Sequence, residues 1–382
     1  MIDFELSEEE VLLQDLAAKF TKNEILPVAA RYDHEGTFPE EIYKKMYEAG
    51  LLNLNIPSRY GGTGLSLLDQ CIVIEEMSTG CAGMTTTVAA NCLALQPIVI
   101  AGTEEQKNKF LNDFTSEYKL ASFCLTEPGA GSDAGNLSLS VKRDGDHYIL
   151  NGTKMFISNA PKASLFTVFG TMDKSLRHKG IVAFVVTRDA EGLTIGKEEN
   201  KLGHRASATS EVIFDNVRIP ADNRLGAEGD GFKIAMRTLD TTRPTIAAMA
   251  TGVGRAALQY AASYATKRYA FNQPISSFEA IQFKIADIQK EISASRLLTW
   301  HAAWLIDKGK KATMESSIAK TFATDAAMHA SIEAIQIYGG YGYSKEYPVE
   351  KLMRDAKLLQ IYEGPNEIQR IVIAKEYLSE YQ

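Results

Sequence analysis

Glu363 lies in Leu359-Gln-Ile-Tyr-Glu-Gly-Pro-Asn-Glu-Ile-Gln-Arg370, a lone carboxylate directly ahead of Gly364-Pro365. Pro365 reads as the first residue of a closing helix, where its missing N–H loses no hydrogen bond, and Asn366-Glu367 add an acceptor and negative charge to the first turn. Two influences on the carboxyl group then oppose each other. The helix N-terminus favours the anion, while an apolar pocket favours the neutral acid. Where burial dominates, the group is a base fit to take a proton from carbon. Otherwise it is a plain N-terminal helix carboxylate.

Other candidates lie upstream. Leu125-Thr-Glu-Pro-Gly-Ala-Gly-Ser-Asp133 leaves a strand and turns through two glycines beside Thr126 and Ser132. Its amides and hydroxyls can approach a flat heterocycle or phosphate oxygens, or form an ordinary turn. Gly252-Val-Gly-Arg-Ala-Ala257 matches G-x-G-x-x-A, but Ala/Met-rich helix precedes it and no βαβ unit surrounds it, which excludes a nicotinamide-binding domain. Asp240 and Arg243, three apart, share a helix face, either as a surface ion pair or as a grip on phosphate. Arg268 with Phe271 offers a guanidinium beside an aromatic plane. Gln336-Ile-Tyr-Gly-Gly340 is a helix C-cap signal or a place where a ligand passes close to the backbone.

The elements that must position these groups read as helices, then strands, then longer helices. Capping boxes at Ser7 and Thr103 open helices through about Asn23 and Phe114, with further helices from Pro39 to Gly50, from about Ser66 to Met77, and from Thr85 to Ala101. Residues 1–118 are thereby an all-helical domain. From Lys119 the period falls to two. Runs 121–125, 137–142, 148–151, 165–170, 180–187 and 210–214 read as strands, with a hairpin at Asp144-Gly145, and residues 119–228 form a β domain of barrel or sandwich type. Long Ala-rich helices over 231–269, 278–308 and 316–337, with the closing pair, make residues 229–382 a four-helix bundle. The fold class is α+β and multidomain.

A length of 382 residues, 45% hydrophobic and 23% charged, describes a globular chain of two or three domains. With 41 basic against 48 acidic residues, the net charge of −7 offers no general attraction to nucleic acid or anionic membranes. Cys71, Cys81, Cys92 and Cys124 have no C-x-x-C spacing and the six histidines no H-E-x-x-H, so neither a disulfide framework nor a metal site is expected. The acidic start lacks a signal or transit pattern and no apolar run reaches membrane-spanning length. A cytoplasmic setting is the expectation, and a processed mitochondrial matrix form is compatible with it.

In order and spacing, these pieces resemble the acyl-CoA dehydrogenase family, nearest its short- and medium-chain members. The resemblance runs from about Leu6 to Leu378. It is carried by Thr126–Asp133, Asn151-Gly-Thr-Lys-Met-Phe-Ile-Ser-Asn159, Thr242-Arg-Pro244, Gln336–Gly340, Leu352-Met-Arg-Asp-Ala-Lys357 and Tyr362-Glu-Gly364. It implies a helical domain, a middle β domain and a C-terminal bundle, a homotetramer, and noncovalent FAD reached partly from a neighbouring subunit. Glu363 falls on the catalytic base that takes the α-proton of an acyl-CoA while the β-hydride goes to flavin N5. The resemblance places FAD contacts on Phe123, Leu125, Thr126, Gly131, Ser132, Phe156, Ile157, Ser158, Arg268, Phe271, Phe278, Gln336, Gly339, Gly340, Pro365 and Glu367. Substrate contacts fall on Ser132, Asp240, Arg243, Tyr362 and Gly364, with the Glu363 N–H as one donor to the thioester oxygen. The implied electron acceptor is an electron-transferring flavoprotein.

Two positions depart from the family pattern. Glu279 replaces a Gln that usually touches FAD, and Pro365 replaces a Thr or Ser hydroxyl. The segment Thr87–Leu95 is expected to line the acyl cavity. It carries no Arg to pair a distal carboxylate, and Ala89, Ala90 and Ala94 leave room for a straight short-to-medium chain. A compact ring such as cyclohexane carboxyl-CoA ranks second. An oxidase that uses oxygen and a carrier that binds acyl-CoA without turnover are the remaining readings.

Overall fold

The structure, a computed structural model, describes residues 5–381; Met1–Phe4, most of the acidic start, lie outside them. Ser7 and Glu10 close a reciprocal capping box and start α1 (Glu8–Phe20). The helix expected to end near Asn23 instead continues through one π turn (Thr21–Ile25) into α2 (Leu26–Glu35), and stops at Gly36 with φ 66°. Pro27 sits in the first turn of α2, where its missing N–H is tolerated, and the wider turn re-phases the buried face at Thr21 and Ile25. There follow α3 (Glu40–Glu48), α4 (Leu67–Ser78), α5 (Ala82–Ala101) and α6 (Glu104–Ser116). Thr103 caps α6 as expected, and Ser66 with Asp69 makes a further box on α4. By length and composition α5 is apolar enough to cross a membrane, contrary to the expectation that no run is, yet 67% of its apolar window is buried inside the protein.

Eight strands follow: β1 (Ala121–Cys124), β2 (Ser140–Asp144), β3 (His147–Ser158), β4 (Leu165–Thr171), β5 (Ile181–Thr187), β6 (Leu193–Glu198), β7 (Thr209–Pro220) and β8 (Arg224–Leu225). They form one mixed sheet in the order β6-β7-β3-β2-β4-β5-β8, with β1 parallel to β4. Among the described residues no ladder joins β6 to β8, so the barrel does not close. Strand β5 shows how the sheet is buried on both faces. Ile181, Ala183 and Val185 pack with Leu95, Ile98 and Phe110 of the helical layer, while Val182, Phe184 and Val186 face Tyr148, Phe166 and Phe214 within the sheet's own core. Short β6 and β8 carry weak alternation, which is why the period-two reading passes over them.

Next come α7 (Gly231–Lys267), a two-residue-per-strand hairpin of β9 (Tyr269–Ala270) and β10 (Gln273–Pro274), α8 (Glu279–Asp307), α9 (Thr313–Tyr338), α10 (Val349–Leu359) and α11 (Asn366–Leu378). Ala319, Ala323, Ala327, Ala330 and Ala334 form one buried stripe on α9, at helical spacing. The Gly252 motif is explained by packing. A Cβ there would lie 2.3 Å from the Glu75 carbonyl oxygen, so the glycine lets α7 approach α4. Buried Glu75 is compensated by Arg255 (2.7 Å) and Arg296 (2.5 Å), which tie α4 to α7 and α8.

Polar side chains seat the sheet against the helices. Asn91 on α5 accepts from the Ala121 amide (2.6 Å), Thr167 donates to the Ala94 carbonyl (2.7 Å), and Asn159 donates to the Thr87 carbonyl (3.0 Å). From the other side, Arg354 on α10 pairs with Asp33 (2.6 Å), and Asp355 accepts from the His204 amide (2.6 Å). The turn after α10, which carries Glu363, is thereby held to α2 and to the loop after β6.

Candidate active site

Between α10 and α11 the chain makes a sharp reversal in which Glu363 takes φ 52° and Gly364 φ 88°. A non-glycine residue in the left-handed region costs on the order of 1 kcal/mol and persists only when its surroundings hold it there. Lys320 on α9 supplies much of that hold: its buried ammonium donates to the Gly364 carbonyl and to Asn366 Oδ1, both at 2.9 Å. Gln369 Nε2 also donates to the Gly364 carbonyl (2.9 Å), and a Cβ on residue 364 would lie 2.6 Å from that nitrogen. Asn366 donates in turn to Asp325 (2.8 Å) and Thr324 (2.9 Å). Pro365 does not open the helix as expected. With ψ 158° it is the residue before it, and Asn366, fixed by Lys320, is the first helical residue.

The carboxyl group of Glu363 accepts from Thr242 Oγ1 at 2.8 Å. Burial pushes it up from the ordinary carboxylate range to about 7, against the opposing influence of the Thr242 hydroxyl and of the Arg243 and Lys320 charges. Burial therefore outweighs everything that favours the anion. The same environment pulls the Lys320 ammonium down to about 8, with Glu363 the largest opposing influence. A carboxylate poised near neutrality can take a proton from a weak carbon acid. The Glu363 backbone N–H makes no hydrogen bond to another described residue, which leaves it free for an acceptor on a ligand.

Thr242→Val tests the local electrostatics. Removing the hydroxyl withdraws the donor that favours the anion, so the carboxyl pKa rises further and the acid limb of the activity profile moves up by about one pH unit. Superimposable profiles for the variant and the parent would contradict this assignment.

Next to the carboxylate, Arg243 is buried, pairs with Asp240 at 2.5 Å, and leaves its Nε without a partner. A surface ion pair does not fit a buried guanidinium with an orphaned donor; a site for an anionic or carbonyl group does. Asp240 also accepts from Thr313 (3.0 Å). The Tyr362 hydroxyl reaches Met249 Sδ (3.3 Å), and its ring meets His204 edge-on at 6.0 Å.

The second group lies on the sheet. Phe123 stacks at a tilt on Phe169 (5.0 Å), and Leu125 and Ile157 are buried. A break in register between Lys154 and Ile157 lets Phe156 adopt φ 58° and stand 62% exposed. Lys154, fully buried, donates to the Leu125 carbonyl and to Glu127, both at 2.8 Å, while Glu127 accepts from the Ser138 (2.6 Å) and Leu139 (3.0 Å) amides. The Thr126 carbonyl accepts from the Met155 amide (2.9 Å), and that of Ser158 from Ser122 (2.8 Å). This pins the loop while Gly131 and Ser132 stay exposed, and a Cβ on Gly131 would meet nothing within 4 Å.

The third group is the β9–β10 hairpin. Phe271 has φ 53°, is 88% exposed and meets Phe278 edge-on at 6.0 Å. The Arg268 guanidinium lies 5.8 Å from the Tyr341 ring, beside open Gly339 and Gly340, with Gln336 exposed one turn earlier. Glu279 is the exposed first residue of α8, and Glu367 is exposed in the first turn of α11. Among the described residues no hydrogen bond, ion pair or ring contact joins Arg268, Phe271 or Phe278 to Thr126 or Glu363 within this chain. Sequence reasoning missed Lys320, Gln369 and the Lys154–Glu127 pair. Lys154 and Glu127 lie inside two of the quoted motifs, but nothing local marks them as partners.

Comparison with known proteins is consistent along the whole chain. Models of the acyl-CoA dehydrogenase N-terminal, middle and C-terminal domains match residues 7–117, 122–217 and 229–378. The mitochondrial short-chain specific acyl-CoA dehydrogenase of Bos taurus is 46% identical over 379 residues, 99% of this chain and 92% of that protein. Butyryl-CoA dehydrogenase from Megasphaera elsdenii superposes with a TM-score of 0.96 at 40% identity, over 99% of this chain and 100% of that one. A chain from work on the electron transferring flavoprotein of Acidaminococcus fermentans does so at 0.97 and 41%, with the same coverage. The chain belongs to the acyl-CoA dehydrogenase family of FAD-dependent oxidoreductases.

Proposed function

We propose that this chain dehydrogenates a straight short-to-medium acyl-CoA thioester to the 2-enoyl-CoA, with Glu363 as the base. The observation that carries the reading is the half-buried Glu363 carboxyl group, held on a turn of φ 52° and bonded by Thr242 at 2.8 Å, which desolvation brings up to about 7. FAD, when bound, supplies the acceptor for the β-hydrogen and its electron pair. Glu363 Oε takes the α-proton, which a thioester releases only as its carbonyl oxygen gains negative charge, and the free Glu363 N–H is suited to stabilise that oxygen. Acyl-chain binding excludes water from the carboxylate and moves its pKa toward that of the thioester. Arg243, with its orphaned Nε, Asp240 and Ser132 would hold the CoA portion, and Tyr362 and Gly364 would border the thioester.

The cofactor fits the residues present. The pinned Thr126–Ser132 loop leaves glycine backbone open to a flat ring, and Phe123, Leu125, Ile157 and Ser158 lie on the same strand ends, with Phe156 exposed beside them. Arg268, Phe271, Phe278, Gln336, Gly339 and Gly340 would contact FAD of a neighbouring subunit, which accounts for an 88% exposed Phe271. Pro365 and Glu367 would border the ring from the α11 side, without the hydroxyl usual at 365. A homotetramer agrees with the exposed Phe283, Leu297, Phe322, Ile332 and Ile371 on α8, α9 and α11. An electron-transferring flavoprotein as acceptor is supported by the structural neighbour from such a system.

Anaerobic titration of the yellow protein with a panel of CoA thioesters tests the proposal. Straight-chain thioesters are expected to bleach the flavin, with product-bound enzyme resisting air. Activity should be lost as pH falls through about 7, because only the Glu363 anion accepts a proton. Bleaching by a cyclohexane carboxyl thioester alone would overturn the substrate ranking, prompt reoxidation in air would favour an oxidase, and a colourless protein a carrier.

A further inference from the structure

His204, on the loop after β6, is buried and holds φ 48°. A bulky residue stays in that left-handed region only where its surroundings fix it. Asp355 on α10 fixes it from two atoms. Its Oδ1 accepts from the His204 amide (2.6 Å), and its carbonyl oxygen lies 2.9 Å from Nε2. Lys351, one turn earlier on α10, donates to the other carboxylate oxygen at 2.5 Å.

A carbonyl oxygen only accepts, so Nε2 carries the ring proton. Burial pushes the imidazole below its ordinary value against the Asp355 charge, so the ring is neutral and Nδ1 is an acceptor. The Thr86 hydroxyl on α5, 2.7 Å from Nδ1, therefore donates to it. With its one proton committed there, Thr86 Oγ1 meets the Tyr362 hydroxyl as an acceptor. Met249 Sδ backs this contact, 3.5 Å from Thr86 Oγ1 and 3.3 Å from Tyr362 Oη. The donors thus run from Tyr362 through Thr86 and His204 to Asp355, and α10 leads from Asp355 back to Tyr362. The acceptor-only carbonyl at the end sets their direction. This ring closes on the N-terminal side of the Glu363 turn, as Lys320 and Gln369 close on its C-terminal side.

We propose that His204 is a positioning residue for the base: through Thr86 it fixes the Tyr362 side chain, and with it the approach of the Glu363 carboxylate to the substrate α-carbon. This rests on the acyl-CoA reading above. Without the hydroxyl chain Tyr362 is free to turn, and a reacting group displaced by about 1 Å loses up to a hundredfold in rate while the ligand still binds.

The holoenzyme is bleached anaerobically by a CoA thioester that reduces the parent, and by the same thioester deuterated at the α-carbon. The proteins compared are the parent, Thr86→Val, His204→Leu and His204→Asn. Val keeps the shape of Thr without its hydroxyl. Asn tolerates the left-handed backbone and puts its Oδ1 where Nδ1 stands, so it still accepts from Thr86. The limiting bleaching rate is expected to fall about tenfold in Thr86→Val and His204→Leu, with half-saturation unchanged and α-deuterium slowing both. In His204→Asn it should return close to the parent. Should His204→Leu fail to fold, Thr86→Val and His204→Asn decide between them. A parent rate in Thr86→Val, a loss seen only in half-saturation, no slowing by α-deuterium, or a His204→Asn protein as slow as Thr86→Val would each overturn the proposal. A parent that no thioester bleaches would instead sink the acyl-CoA reading itself.

Discussion

Glu363→Gln is expected to lower kcat by roughly 10⁴-fold on any thioester that bleaches the parent, since a positioned general base contributes up to that factor. The amide keeps the shape, and Thr242 can still donate to its oxygen, so the turn and the flavin should be retained. Stability separates a chemical loss from a structural one. The unfolded carboxyl ionises near 4.5 and the folded one near 7. Between those values the folded state holds a proton that the unfolded state releases, so stability falls as pH rises through that window, and the cost is fully present above 7. That cost is up to about 3 kcal/mol. Glu363→Gln should therefore unfold no earlier than the parent at pH 8, while losing turnover. Activity within tenfold of the parent would remove Glu363 from the mechanism.

Lys154→Met carries the largest expected loss of stability, about 3–5 kcal/mol, because it leaves the buried Glu127 carboxylate without its cation. The Leu125 carbonyl loses its donor in the same change. Burial already holds the Lys154 ammonium below its ordinary value, with Glu127 opposing, so the pair depends on both members. The loop after β1 should loosen, and the protein should shed FAD on gel filtration at a lower melting temperature. Lys154→Met combined with Glu127→Gln should recover much of the stability, because no unpaired charge remains. A single variant that melts with the parent and keeps its flavin would show the pair to be incidental.

The order of helices, strands and bundle was legible because each signal is local. Ser7 with Glu10 and Thr103 with Gln106 settle helix starts within one turn. Asp144-Gly145 settles a hairpin within four residues, with Gly145 at φ 62°. Ile181 to Val186 alternate faces within a single strand. The motif residues around Thr126, Thr242 and Tyr362 likewise marked the family, and with it the candidate base.

What the linear chain left undecided was the environment of that base. The choice between an ordinary helix carboxylate and a proton acceptor near neutrality depends on burial, which raises the group against the Thr242 hydroxyl and the Lys320 charge, partners that lie 121 and about 40 residues away. The shape of its turn depends on Lys320 and Gln369 gripping one carbonyl. Caps and alternation are short-range steric and hydrogen-bonding choices that a few residues make among themselves. Desolvation and charge coupling belong to groups brought together only by packing, so the chemistry of Glu363 was decided by the tertiary structure.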